Sequence, residues 1–321
     1  MDSMESAYTP SEAKPYDDGP CAIENIHNKA HDIFPIPFTG IKLLINRGLS
    51  PHFQVSHSLT LSSGESAGYR FGATYAGHNK ISENEAFPVL MGELQPNGQL
   101  QAQIVDQLSP MCRVRYLAQI QKCTMAGQQI SGELRREKWQ FGVTLINPDL
   151  NRGQMMLAVD TMRKMSNRFY MGSMFFYHLS SQLPGGQDGV WSLGGKYVSD
   201  FWQFAVTARP YQLAFHSSFH LKVNENLQLA AELESNYQQQ SNISTIGYQY
   251  DLPKSNVTFR AQLDSNWNIA AMLEKRLIPF PLTFTLTALG NSIASKYEAP
   301  VFSFTVAPSQ RQLARRAVLP N

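Results

Sequence analysis

Hydrophobic and polar residues alternate without a break from Ser255 to Asp264. Val257, Phe259, Ala261 and Leu263 fall on one side, and Asn256, Thr258, Arg260, Gln262 and Asp264 on the other. Successive side chains of a strand point to opposite faces, so this stretch is a strand with one apolar and one polar face. Asp251-Leu252-Pro253-Lys254 before it and Asp264-Ser265-Asn266 after it are turn sequences. Trp267, Ile269, Ala271 and Leu273 then resume the apolar face, with Asn268 and Glu274 opposite.

The unit of strand, tight turn and return strand recurs along the chain. Phe53, Val55, Leu59 and Leu61 oppose Gln54, Ser56, Ser58 and Thr60. Val114, Tyr116, Ala118 and Ile120 oppose Arg113, Arg115, Gln119 and Gln121; Trp202, Phe204 and Val206 oppose Gln203 and Thr207. Phe215, Phe219, Leu221 and Val223 oppose His216, Ser218, His220 and Lys222. Alternation alone supports about sixteen to twenty strands. Open twisted sheets rarely exceed about ten strands. A sheet of this size therefore closes on itself, turning its apolar faces outward to lipid and pairing every backbone group, as a membrane requires. Trp139, Trp191, Trp202, Tyr211 and Trp267 fit interfacial girdles, although aromatic residues favour strands anywhere in a sheet.

Residues 21–34 break the pattern. Ile23, Ile26, Ala30, Ile33 and Phe34 recur at helical spacing, Pro20 suits a first helical position and Pro35 stops the run. A single amphipathic helix cannot cover such a sheet, so it packs inside the barrel or lies on the membrane. Residues 1–20 read as a disordered acidic tail, 21–39 as helix and linker, 40–307 as barrel and 308–321 as a tail with Arg311, Arg315 and Arg316.

Composition sharpens this picture. Charged residues make up 16% of the 321, against about 25% in an ordinary soluble domain. Gln, Ser, Thr and Asn fill the polar positions, which suits a hydrated interior. The net charge of +2 calls for no nucleic acid. No apolar run is long enough for a transmembrane helix, and the N-terminus carries neither a secretory core nor an Arg-rich helix. Cys21, Cys112 and Cys123 form no disulfide framework or metal spacing.

Candidate chemistry is weak by comparison. Gly64-Glu65-Ser66-Ala67-Gly68 matches G-x-S-x-G, but a nucleophile elbow needs a helix after the turn and a strand is expected here. His216 and His220 mimic a zinc pair, yet four residues along a strand separate them by about 13 Å. Pro184-Gly185-Gly186-Gln187-Asp188-Gly189 reads as a flexible loop, with no helix to present amides to a phosphate. Asn242-Ile243-Ser244 and Asn256-Val257-Thr258 fit the glycosylation pattern but follow no signal peptide. No catalytic residue, metal or cofactor is expected.

The polar face is the functional constellation. Its expected pore-lining acids are Glu133, Asp160, Glu232, Glu234, Asp264 and Glu274. The bases are Arg70, Arg113, Arg115, Arg135, Lys138, Lys196, Arg209, Lys222 and Arg260, joined by Gln119, Gln121, Gln203, Gln262, His216 and His220. Val257, Phe259, Leu263, Trp267 and Ile269 are expected to face lipid. An anion-selective pore would use mainly basic rings. This lumen is mixed, with acids grouped in the later strands, and could attract Arg-rich amphipathic peptides without trapping them. For any single residue, the simpler reading is a charge that keeps a pore hydrated.

The run YDLPKSNVTFRAQLDSNWNIAAMLEKRL, with GIKLLINRGLSPHFQVSHSLTLS (40–62) and EAFPVLMGEL (85–94), resembles the channel-forming subunits of the translocase of the outer mitochondrial membrane, a family within the mitochondrial porin superfamily. The matches spread from about Ile23 to Ala307. The resemblance implies a multi-pass outer-membrane barrel of nineteen strands with parallel closure of the first and last, and the amphipathic helix inside the pore. It guides the division into spans 40–50, 51–62, 66–78, 86–96, 99–109, 111–122, 125–136, 138–147, 152–165, 168–180, 190–200, 201–210, 211–224, 226–237, 243–251, 255–264, 267–278, 281–291 and 296–307. It implies conduction of unfolded precursor proteins, with a metabolite or anion porin of the same fold as the alternative. The implied partners are import signals, a central receptor helix, small single-helix subunits, a second copy of the chain and membrane lipid. The family ends its last strand with a polar residue, a glycine and alternating hydrophobics. KYEAPVFSFTVA (296–307) keeps Phe302, Phe304 and Val306 but lacks the glycine and carries Pro300, as a divergent member would.

Overall fold

The computed structural model of the chain describes residues 20–36, 41–61, 67–82, 85–122, 124–149, 154–180, 185–277, 282–291 and 296–306. Residues 1–19 and 308–321 of the two expected tails lie outside the described residues. The strands are β1 (Ile41–Gly48), β2 (Phe53–Leu61), β3 (Gly68–Ser82), β4 (Glu85–Leu94), β5 (Leu100–Ser109), β6 (Cys112–Gln121) and β7 (Thr124–Arg135). Then follow β8 (Trp139–Asp149), β9 (Gln154–Lys164), β10 (Phe169–Leu179), β11 (Gln187–Val198), β12 (Trp202–Arg209) and β13 (Ala214–Lys222). The last six are β14 (Leu227–Asn236), β15 (Ser241–Leu252), β16 (Val257–Asp264), β17 (Asn268–Leu277), β18 (Leu282–Asn291) and β19 (Lys296–Val306).

All belong to one 19-stranded sheet in which each strand pairs with its sequence neighbours. β1 also pairs with β19 in parallel, from Lys42↔Ser303 to Ile45↔Val306, and this closes the barrel. Odd-numbered strands run from a near rim, where β1 begins, to a far rim; even-numbered strands return.

The ladder also explains Pro300. The β18–β19 register shifts between Thr287, opposite Val301, and Leu289, opposite Glu298. Pro300 falls inside that irregularity, where its missing N–H removes no regular ladder bond.

Two expectations need correction. Gln187, Asp188 and Gly189 are strand rather than loop, because they pair with Leu179, His178 and Tyr177. Residues 210–212 form a 3-10 turn rather than opening β13, and Leu213 follows in the left-handed region. Gly68 opens β3, so a strand and not a helix follows the G-x-S-x-G sequence; residues 62–66 are outside the described set.

The helix is likewise shorter than its stripe predicts. Ile23–Asn25 form a 3-10 turn and Asn28–His31 a single α-turn, α1. Gln203 on β12 donates its Nε2–H to the Ile26 carbonyl at 3.0 Å. That carbonyl would accept from Ala30 in a continuous helix; Ala30 N–H bonds the His27 carbonyl instead, at 3.0 Å. The stripe still does its packing. Ile23, Ile26, Ala30, Ile33 and Phe34 are all buried. Ile23 and Ile26 cluster with Met162, Tyr170, Val198 and Ala205 of the wall, and Ala30, Ile33 and Phe34 with Ala230. The segment therefore lies inside the barrel.

Two glycines make room for it. A Cβ on Gly194 would sit 3.3 Å from Ile23 Cγ2, and one on Gly247 would sit 2.6 Å from Phe34 Cδ1. The opposite sheet face carries large apolar residues in the open, among them Ile246 at 64%, Trp191 at 53% and Phe175 at 48% exposure. Continuous exposed apolar surface of this kind needs a non-aqueous environment.

Candidate functional site, the inner face of the barrel

The residues that touch the N-terminal segment define the inner face, and the register carries that face around the sheet. On β12 and β13, Gln203, Thr207, Ser218 and His216 meet the segment, so Arg209, His220 and Lys222 share their face. His216 pairs with Glu234 and Ser218 with Glu232; Glu232 pairs onward with Thr245, and Thr245 with Asp264. Gly247 pairs with Gln262 and Gln249 with Arg260, while Thr258 pairs with Glu274.

In the other direction Tyr170 pairs with Lys196 and Lys164, and Asp160 with Met174 and Gly142. Glu133 pairs with Gly142 and Arg113, Arg135 with Gln140, and Arg115 with Ser131. Gln119 pairs with Gln101 and precedes Gln121 by two residues. Arg70 pairs with Ser58, which pairs with Leu44. Each expected lining residue on a strand thus shares one face. Lys138 is the exception: it sits in the turn before β8, where its carbonyl accepts from Lys164 N–H.

Val257, Phe259, Leu263 and Ile269 lie on the other face. Trp267 lies in the turn before β17 with φ +58°, because Asp264–Trp267 form the hairpin connection. Of the other aromatics, Trp139 and Trp202 begin β8 and β12, Tyr211 lies in the 3-10 turn, and Trp191 is well inside β11.

The inner face is divided by the segment. Beneath it, Tyr170, Lys196, Gln203, Ser218 and His220 are buried. Elsewhere Glu93, Gln101, Arg115, Gln119 and Gln121 are open to solvent. Water therefore reaches the interior alongside the segment, and a cavity of ≈ 860 Å³ lies where the segment faces β10–β15.

His27 is the polar anchor. Its ring nitrogens lie 2.6 Å from Ser218 Oγ and 2.8 Å from Thr207 Oγ1, and the ring stacks on His216 with centroids 3.9 Å apart. Burial, with the neighbouring His216 second, pushes the His27 imidazole down to about 4. It is thus neutral near pH 7, one nitrogen donating and the other accepting.

His216 Nε2 in turn lies 2.6 Å from Glu232 Oε1 and 3.9 Å from Glu234 Oε1, and His31 Nδ1 is 4.0 Å from Glu232 Oε2. The donor atoms of His216, Glu232 and Glu234 lie within 4.8 Å of one another, so these are the residues that could hold a cation. The 2.6 Å separation is that of a charge-assisted hydrogen bond, which accounts for the cluster without an ion. His220 points to a different partner, Gln228 Oε1 at 3.1 Å, so the two histidines of β13 do not converge.

The acids form a track. Glu232 and Asp264 flank Thr245 in one row, and Glu234 stands in the next. The Thr245 hydroxyl donates to Asp264 Oδ1 at 2.9 Å. Across the barrel Arg113, Arg115 and Arg135 share β6 and β7 with Glu133. Glu93 is a further inner acid that alternation did not single out.

The sequence matches the profile described as "Eukaryotic porin" over residues 19–299, nearly the whole of the closed sheet. The chain is a eukaryotic porin. Within that family it is similar to mitochondrial import receptor subunit TOM40 homolog 2 of Drosophila melanogaster, 37% identical over 278 residues that cover 87% of this chain and 81% of the relative. The human TOM40 homolog is 37% identical over 91% of this porin and 81% of its own length. The Caenorhabditis elegans TOM40 homolog is 37% identical over 87% and 92%. This porin therefore belongs with the TOM40 homologues, as the resemblance implied.

Proposed function

We propose that this porin is a protein-conducting channel of the mitochondrial outer membrane that passes unfolded precursors from the cytosol, with no bond chemistry. The observation that carries the reading is the acidic track of Glu232, Glu234 and Asp264 on the solvent-reached inner face of a closed barrel. An Arg-rich amphipathic import signal is drawn to such a track through long-range attraction. Neutral neighbours such as Thr245, Gln262 and Gln249 offer weak, exchangeable hydrogen bonds along which an extended chain slides. The lining comprises the inner-face residues named above; residues 40–307 supply the wall and 21–39 the inserted segment. The relatives named as import receptor subunits support the same reading; other translocase subunits, membrane lipid and a second copy of the chain are the partners we propose.

The test is current through single channels in planar bilayers with a synthetic import-signal peptide added. The expected result is voltage-dependent block that weakens severalfold when Glu232, Glu234 and Asp264 become Gln, Gln and Asn, with conductance retained. Strong anion selectivity and no block in the wild type would instead identify a metabolite porin.

A further inference from the structure

The outer face is not uniform along the barrel axis. Among the positions whose face the register fixes, four charged residues point outward: Arg47, Asp106, Arg163 and Lys275. Arg47 pairs with Val55, Asp106 with Val114, Arg163 with Trp139 and Met171, and Lys275 with Val257 and Phe284. All four lie on odd-numbered strands and within the last four residues of them, so all stand toward the far rim. The outward ends at the near rim are uncharged and apolar, among them Ile41, Leu61, Leu94, Met125, Leu263 and Ile269.

A charge on a barrel's outer face is most costly at the bilayer midplane and nearly free at the interface. Confinement to one end therefore marks that end as headgroup level, and the sign is basic by three to one. The acid is the least available of the four: Asp106 is half-buried and accepts the Gln107 N–H at 2.9 Å. The bases are exposed. Among the described residues none of the three pairs with a carboxylate. Arg163 instead rests its guanidinium 4.6 Å from the Trp139 ring centroid, an amphipathic platform at the first position of β8. The cross-strand partners of Arg47 and Lys275 are apolar, a surface that suits the aliphatic stem of a side chain whose charge reaches water.

We propose that the far rim of the outer face is a docking band for anionic phospholipid headgroups, with Arg47, Arg163 and Lys275 as its phosphate contacts. The proposal rests on the reading of the outer face as lipid-exposed. It assigns the barrel an electrostatic polarity that the apolar near rim lacks.

The test uses the purified full chain in phosphatidylcholine bilayers doped with spin-labelled phosphatidylcholine or phosphatidylglycerol. Electron spin resonance measures the motionally restricted lipid and hence relative association. The expected result is roughly fivefold preference for phosphatidylglycerol at a basic contact, the change matching about 1 kcal/mol per basic residue near an anionic surface. Molar salt should erase it. The triple variant R47Q/R163Q/K275Q should lose it, whereas the inner-face R70Q should keep it. Equal association of the two lipids with wild-type protein, which needs no variant, overturns the proposal, as does a preference that survives in the triple variant. Failure of the wild type to enter phosphatidylcholine bilayers at all would instead refute the lipid-exposed reading.

Discussion

A single pair of substitutions tests which face of the wall meets lipid. Ile246 is the sixth of the twelve residues of β15, at mid-strand, and is 64% exposed on the outer face. Its cross-strand partners Ala231 and Leu263 are uncharged. Ile246→Arg places a cation on the outer face in the row of Leu263, between mid-membrane and the near rim, where the cost is about 1–2 kcal/mol, between the midplane and interface values for a transmembrane barrel. That is a sizeable fraction of a typical folding free energy of about 5–15 kcal/mol, or roughly 5- to 30-fold in the folding equilibrium. Thr245→Arg, one residue earlier, faces inward between Glu232 and Asp264 in the same cross-strand row. Two carboxylates receive that guanidinium in a hydrated space, and stability should change by only about 0.5 kcal/mol. Equilibrium urea titration of the protein folded into lipid vesicles, read by the gel mobility of folded and unfolded forms, measures both. Equal destabilisation by the two substitutions, or greater loss from Thr245→Arg, would refute the assignment of faces.

Two further outcomes follow from the inserted segment. Gly247→Val puts a Cβ 2.6 Å from Phe34 Cδ1 and 3.0 Å from the Ala261 carbonyl oxygen. Phe34 must leave, so limited proteolysis should cut within residues 23–34 faster than in the wild type while the barrel stays intact. His27→Ala removes both polar contacts to Ser218 and Thr207 and leaves the Gln203 bond to the Ile26 carbonyl in place. With about 0.5–1.5 kcal/mol per hydrogen bond, docking should weaken by about 1–3 kcal/mol, seen as added open-channel noise; unchanged noise would remove His27 as the anchor.

Period-two alternation made most of the wall legible, because a one-residue error in register would reverse every side chain. The face of Arg113, Glu232 or Phe259 follows from its neighbours in sequence alone. Depth does not. Leu263 is recognisably outward, yet only the fold shows it one residue from the near-rim end of β16. The break in the N-terminal helix was hidden because its cause, the Gln203 bond to the Ile26 carbonyl, spans 177 residues. The His27–His216–Glu232 cluster was hidden for the same reason: a strand pattern places His216 inside without saying what enters to meet it. Lys138 and Trp267 were misassigned by one position because hairpin turns end where cross-strand pairing fails, and alternation does not register that boundary. Glu93 is not legible in the sequence because Val89 and Met91, on the same face of β4, are apolar and erase the period-two contrast there.

An odd number of strands has a geographic consequence. The wall starts at one mouth of the tunnel and finishes at the other, so its two extremities face different compartments. The inserted segment reverses this. Pro20 rests beside Arg136, Lys138 and Trp139, at the same mouth from which β19 departs after Val306. By threading back through its own bore, the polypeptide brings Pro20 and Val306, the first and last described residues, to a single side of the membrane.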